Sequence, residues 1–254
     1  MGRLDNKVAI ITGGNSGIGE ATAKLFAKEG AAVVITARRE DELERVRREI
    51  EAEGGKCTCI PGDIRVTEDV NAVAEKTVAL YGRIDILVNN AGIPDCHLPV
   101  VKLTDEFAED VINTDLMGVI RMCRAVLPHM EQARKGAIVN IASIGGVYAC
   151  AGASYSAAKA GVLALTKNLA IQYFARGIRV NSVSPGSTDT PLFNPAMMEK
   201  ADKEMIEITA QHHLYNYDHM CSPMEQAYAI LFLASDEASG INGENLTVDY
   251  GGRL

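Results

Sequence analysis

What the chain lacks narrows it first. No apolar stretch among its 254 residues approaches the roughly 20 needed to cross a bilayer; Val8–Ile11 and Ala31–Ile35 are typical of its short runs. Basic residues are in deficit, 25 Lys and Arg against 33 Asp and Glu, for a net charge of −8. A generalised electrostatic grip on phosphate backbones is therefore missing, and nucleic acid is not an expected partner. None of the six cysteines (Cys57, Cys59, Cys96, Cys123, Cys150, Cys221) forms a C-x-x-C pair. A chain of this length builds a core without disulfide staples, so buried free thiols are expected. The N-terminus has no apolar h-region, which points to the cytoplasm, and Asn6 stands where a myristoylation signal wants Ser or Thr. Internal repeats, low-complexity tracts and Pro/Gly/Ser linkers are absent too, so a length that admits one large or two small domains reads as one.

What is present is ordinary for a globular protein, 47% hydrophobic and 23% charged, which excludes disorder. Short β-branched runs recur between helix-like stretches: Lys7–Thr12, Ala32–Thr36, Cys57–Pro61, Ile84–Asn89, Gly136–Ala142, Ile178–Ser184 and Asn245–Val248. Near-continuous apolar strands of this kind suit a parallel sheet buried on both faces by crossover helices. The class is α/β, a doubly wound parallel sheet in a single domain. Asp41–Glu53, rich in Arg and Glu with Leu43, Val46 and Ile50 on one stripe, reads as a solvated surface helix. The stretch 187–222 has no strand pattern and gathers methionines, histidines and tyrosines; so long an excursion is a lid over a site or an oligomer contact.

Between the first strand and the next helix lies Thr12-Gly13-Gly14-Asn15-Ser16-Gly17-Ile18-Gly19. Glycines there let the turn tighten, let the backbone approach a pyrophosphate, and open the unpaired N–H groups of a helix N-terminus to it. Gly13, Asn15, Ser16, Gly17, Ile18 and Gly19 are thus candidate dinucleotide ligands on a Rossmann-type sheet. A plain tight turn is the bland alternative. At the end of the second strand, NAD-binding proteins of this architecture keep an acid for the ribose 2′-hydroxyl, whereas this chain has Ala37 followed by Arg38 and Arg39. Two guanidinium groups suit a 2′-phosphate, so NADP(H) is expected ahead of NAD(H), the alternative being that both arginines merely open a charged helix.

Tyr155 and Lys159 are four residues apart in Ala153–Ala175, which reads as a helix, so they share a face. Ser143 ends the preceding strand, on the same carboxyl edge of the sheet as the glycine loop, where such folds bind ligands. A phenol with a reference pKa near 10 is a poor base at neutral pH, and a neighbouring ammonium is expected to lower it. Ser143, Tyr155 and Lys159 together make an acid–base site for a carbonyl.

With these motifs in order, the chain resembles the classical short-chain dehydrogenases/reductases over essentially its whole length. The resemblance rests on Thr12-Gly13-x-x-x-Gly17-x-Gly19, Asp63 after the third strand, Asn89-Asn90-Ala91-Gly92 after the fourth, Ser143, Tyr155-x-x-x-Lys159, and Pro185-Gly186 leading to Thr190. It implies hydride transfer between a nicotinamide and a secondary alcohol carbon. Tyr155 would exchange the hydroxyl proton, Ser143 would polarise the carbonyl, and Lys159 would hold the nicotinamide ribose. Asp63 and Ile64 would meet the adenine, Asn90, Ala91 and Gly92 would line the cofactor, and Pro185, Gly186, Thr188 and Thr190 would meet the carboxamide and pyrophosphate. It implies a homotetramer built through Asp105–Met130 and Gly152–Ala175.

Two departures accompany the resemblance. Where the family usually places an asparagine before a Gly-Val pair, to hold a relay water, Gly118-Val119 anchors Asp115, counted with the catalytic set; Asn113 would project from another side of the helix. The interval from Ser143 to Tyr155 is one residue shorter than the commonest form, which alters the loop 144–154. His212, His213 and His219 near Asp218 match no compact zinc pattern, and no metal is expected. Cys57 and Cys59, on one face of a strand, read as core packing rather than a redox pair. The reading is an NADP(H)-dependent enzyme interconverting a small-molecule secondary alcohol and ketone, with the lid leaning toward a bulky apolar substrate such as a hydroxysteroid. A 3-oxoacyl thioester reductase of fatty-acid synthesis competes with it, as does a non-catalytic nucleotide sensor, since fold alone does not fix function.

Overall fold

The computed structural model describes residues 2–192, 199–212 and 220–252. Seven strands form one parallel sheet: β1 (Val8–Thr12), β2 (Ala32–Thr36), β3 (Lys56–Cys59), β4 (Ile86–Asn89), β5 (Gly136–Ile141), β6 (Ile178–Pro185) and β7 (Asn245–Val248). All seven lie where the apolar runs predict them. Their spatial order is β3-β2-β1-β4-β5-β6-β7. The chain therefore winds outward one way from β1 and then the other way from β4, leaving a crevice at the carboxyl ends of these two neighbours.

Successive residues of the strands point to opposite faces, and both faces are apolar. Ile10, Val34, Leu87 and Ile138 pack on one side; Ile11, Ile35, Val88 and Val139 pack on the other. The first side is covered by α3 (Thr67–Tyr81), α5 (Gly118–Ala133) and α7 (Ala153–Tyr173), through residues such as Val73, Met122 and Val162. The second is covered by α1 (Gly17–Lys28), α2 (Glu40–Ala52) and α9 (Pro223–Ala234), through Phe26, Val46 and Leu231. Two short helices, α4 (Asp105–Ile112) and α6 (Ile144–Tyr148), lie between β4 and α5 and between β5 and α7, and α8 (Lys203–His212) belongs to the long excursion. Cys57 is part of the core and Cys59 packs against it, both as thiols.

The expected helix Asp105–Met130 is not continuous. After α4 the chain widens into one π-turn, Asn113–Met117, where Gly118 donates back to the Asn113 carbonyl, before α5 begins. Such a bulge inserts a residue into the helical count and re-aims its neighbours; here Thr114 and Asp115 turn inward and become buried. The helix carrying Tyr155 stops at Tyr173 and tightens into a short 3₁₀ turn at Phe174–Arg176. Among the described residues no helix is long and apolar enough to cross a membrane.

Candidate active site

The crevice is a cleft of about 450 Å³, within the range of small-molecule sites. At its floor the ends of β1 and β4 are stitched together. The Asn90 and Ala91 backbone N–H groups donate to Thr12 Oγ1 (2.9 and 3.0 Å), and Asn90 Nδ2 donates to the Thr12 carbonyl (3.0 Å). The glycine loop takes shape around this contact. Gly13 sits at φ +65°, and a Cβ on Gly19 would stand 2.2 Å from the Gly13 carbonyl oxygen, so neither position tolerates a side chain. Ser16, at the N-cap of α1, makes no side-chain capping bond. The first turn of α1 therefore keeps donors directed at the cleft, as a pyrophosphate requires.

Arg38, Arg39, Asp63, Ile64 and Arg65 line the same cleft. The Asn15 amide faces the Arg39 guanidinium at 2.7 Å, its oxygen toward the donor. Both oxygens of Asp63 are held by Arg65 (2.6 to 3.0 Å), and this guanidinium keeps the Asp63 carboxyl below its usual range. Arg65 brings a third guanidinium to this end, beyond the two that the sequence suggests. On the opposite wall, Pro185, Gly186, Thr188 and Thr190 line the cleft; Thr188 is buried, donating to the Gly186 carbonyl (3.0 Å) and accepting from Gln226 (3.2 Å). Thr190 packs against the space over Gly17, 3.2 Å from where a Cβ would lie. A glycine cradle, open helix donors and adjacent guanidinium groups are a donor set that fits a nicotinamide dinucleotide.

Ser143 leaves the end of β5 and caps α6, its Oγ accepting from the Gly145 N–H at 3.0 Å. Tyr155 and Lys159 share one face of α7, the Lys159 ammonium lying 5.5 Å from the centre of the Tyr155 ring. Ser143 Oγ and the Tyr155 ring edge both lie 3.4 Å from the point where a Gly145 Cβ would stand, so the three predicted groups meet in one place. Lys159 is buried; its ammonium donates to the Ile141 carbonyl (3.1 Å) and stands 3.2 Å from the Asp115 carboxylate. Asp115, wholly shielded from solvent, also accepts from the Ile93 N–H at 2.8 Å. Asn113 lies outside the cleft.

The electrostatics differ from expectation at one point. Burial raises the phenol of Tyr155 above its ordinary value; Lys159 pulls the other way, and Asp115 adds to the rise. The ammonium that was to favour the phenolate is shared with a carboxylate. Burial disfavours the Lys159 charge, yet Asp115 and Tyr155 together outweigh it and hold the lysine pKa up.

Sequence reasoning missed two further residues. Asp95, almost wholly buried, accepts from the Tyr155 N–H (2.9 Å), Ser154 Oγ (3.1 Å) and the His97 N–H (3.2 Å), which places a carboxylate on the N-terminus of α7. His97 lines the cleft with a buried Nδ1 that has no hydrogen-bond partner, and burial holds its pKa down. Cys96 and His97 are consecutive non-glycine residues at positive φ, 58° and 50°. That backbone signature is invisible in sequence, and the Asp95 contacts span 59 and 60 positions. Of the long excursion, Ala201 and Ile206 reach the cleft, and the Asp202 N–H donates to the Cys96 carbonyl (3.2 Å). His213, Tyr215, Tyr217, Asp218 and His219, with Met197 and Met198, lie outside the described residues, as does the side chain of His212.

Comparison with known proteins identifies the family. A family model described as enoyl-(acyl carrier protein) reductase matches residues 13–252. The chain is 41% identical over 250 residues to the 3-oxoacyl-[acyl-carrier-protein] reductase FabG of Thermotoga maritima, covering 98% of each. It is 42% identical over 248 residues to cis-4-hydroxycyclohexanecarboxylate dehydrogenase of Sinomonas cyclohexanicum, covering 96% of each. It is 36% identical to 3beta-hydroxysteroid dehydrogenase 2 of Eggerthella lenta, over 98% of this chain and 95% of that one. Among solved structures, a short-chain dehydrogenase/reductase of Burkholderia xenovorans superposes with a TM-score of 0.90 at 36% identity, over 99% of this chain and 98% of that one. The chain belongs to the classical short-chain dehydrogenase/reductase family and is an oxidoreductase of the nicotinamide-dependent type.

Proposed function

We propose that the protein interconverts a secondary alcohol and a ketone with NADP(H), on a bulky, largely apolar substrate such as a hydroxysteroid. The observation that carries the reading is the convergence of Ser143, Tyr155 and Lys159 in the cleft that also holds the glycine loop. When bound, the dinucleotide supplies or accepts the hydride. Tyr155 gives its proton to the carbonyl oxygen in reduction and takes it from the alcohol in oxidation. Ser143 donates to the same oxygen and orients it, and Lys159 holds the ribose beside the tyrosine. The preference for the 2′-phosphate is supported by Arg38 and Arg39 beside Ala37, where an acid would have read the free hydroxyl. Ile93, Pro94, Ile144, Leu192 and Ile206 give the substrate end an apolar wall, and the segment 187–222 acts as its lid.

A panel of hydroxysteroids, acyl thioesters and cyclic or polyol alcohols, read by NADPH absorbance, tests this. Turnover confined to hydroxysteroids and cyclic alcohols is the expected result. Selective reduction of 3-oxoacyl thioesters would install the second reading, which the 41% identity to the Thermotoga reductase favours. Tyr155→Phe removes the exchanging hydroxyl and keeps the ring, so turnover is expected to fall roughly 10²–10⁴-fold while NADPH still binds. A variant that keeps its turnover, with fold verified, would overturn the assignment of Tyr155, and a parent protein that binds NADPH but turns over no substrate of the panel would leave a nucleotide sensor.

A further inference from the structure

Asp115 buries a carboxyl group in a dry part of the molecule, one layer behind the cleft; burial raises its pKa, and the Lys159 ammonium and the Ile93 N–H draw it back toward the carboxylate. One oxygen, Oδ1, is satisfied by the Ile93 N–H at 2.8 Å. The other, Oδ2, makes no hydrogen bond, and the nearest positive charge is the Lys159 ammonium at 3.2 Å. Gly92 closes over the pair, since a Cβ there would stand 2.7 Å from Oδ2 and 3.3 Å from the ammonium. Lys159 has one donor on the Ile141 carbonyl, and its charge faces both Asp115 and the Tyr155 ring. With the tyrosine protonated, phenol, ammonium and carboxylate sum to zero. Ionising the phenol leaves an unbalanced negative charge in a low-dielectric place, which is costly.

We infer that Asp115 is a positioning residue that neutralises Lys159 and so holds Tyr155 as the protonated phenol, readying the site to donate a proton to a ketone oxygen. The inference rests on Tyr155 being the proton-exchanging group. In reduction the tyrosine O–H bond breaks, its proton passes to the carbonyl oxygen as the carbon receives hydride from the reduced dinucleotide, and the phenolate regains a proton from water. The overall equilibrium is untouched; Asp115 sets the pH range over which each direction runs. The other groups facing Tyr155 are accounted for. Asp95, bonded to the tyrosine's own N–H, acts with the same sign as Asp115, while the Ser143 hydroxyl favours the phenolate. His97, held through Asp95, is kept neutral by burial.

The test needs neither substrate nor cofactor. Tyrosinate absorbance is titrated in the parent protein and in Asp115→Asn, and each signal is corrected by the same protein carrying Tyr155→Phe. In the parent, Tyr155 is expected to ionise above the ordinary phenol value near 10. In Asp115→Asn, which keeps an oxygen for the Ile93 N–H, it is expected to ionise about one pH unit lower or more, roughly tenfold more tyrosinate at a given pH. The alkaline limb of ketone reduction should move down by the same amount. Asp115→Ser, shifting in the same direction, serves if thermal melting finds the asparagine variant unfolded. An unchanged or higher titration midpoint in a folded variant overturns the inference, whatever the turnover of Tyr155→Phe says about the reaction.

Discussion

At the residue scale, the cleft separates side chains that recognise from side chains that react. Arg38 has a phosphate to pair with only in NADP(H), so Arg38→Ala is expected to raise KM for NADPH about tenfold or more and to leave KM for NADH nearly alone; steady-state kinetics with the two cofactors checks it, and equal effects would count against the assignment. His97 is expected to join the recognising group. Its unpartnered Nδ1 is presented from a left-handed backbone that costs energy to hold, which is the arrangement of a group waiting for a substrate hydroxyl or carbonyl away from the reacting carbon. His97→Phe keeps the bulk and removes the hydrogen bond; KM for the alcohol should rise about 2–10-fold with kcat little changed. A fall in kcat alone would place His97 with the reacting groups instead.

At the scale of elements, three joints aim the chemistry: the β1–β4 seam, the π-turn and the N-terminus of α7. Asp95 serves the last of these, its carboxylate meeting the positive end of a 21-residue helix while anchoring the loop that carries His97. Asp95→Asn should cost about 1–2 kcal/mol in chemical denaturation and lower kcat, because the Tyr155 backbone is what the carboxylate grips. These joints also mark where reading the sequence succeeds and stops. The central strands β1, β2 and β4 were legible because Val, Ile and Leu run together where both faces of a sheet are covered. Tyr155, Lys159 and Ser143 were legible because their placement follows from helical spacing and a strand end. The π-turn was not, because Asn113–Met117 carries no local residue pattern that marks it and the ion pair it accompanies joins Asp115 to Lys159, far away in sequence. The direction in which the tyrosine pKa moves failed for the same reason: it depends on burial and on a carboxylate that only the fold brings near.

At the scale of the whole molecule, one end of α7 remains uncovered. Ile171 and Phe174 are 80% and 73% exposed at the helix end and the turn beyond it, apolar surface of the kind that marks an interface. A homotetramer is expected in solution, and light scattering at micromolar concentration should return four chain masses; a monomer would refute it. The sheet order has a different consequence, one that concerns how the chain is made. β1 precedes the other six strands of the sheet in the chain, yet it lies in the interior, with β2 on one side and β4 on the other. The Val8 N–H finds the Asp85 carboxylate only after 77 further residues. Until β4 emerges, a strand apolar on both faces keeps one edge without its partner, and such an edge pairs readily with other chains. The nascent protein thus carries this open edge through the interval between β1 and β4, and slower elongation there is expected to prolong the exposure.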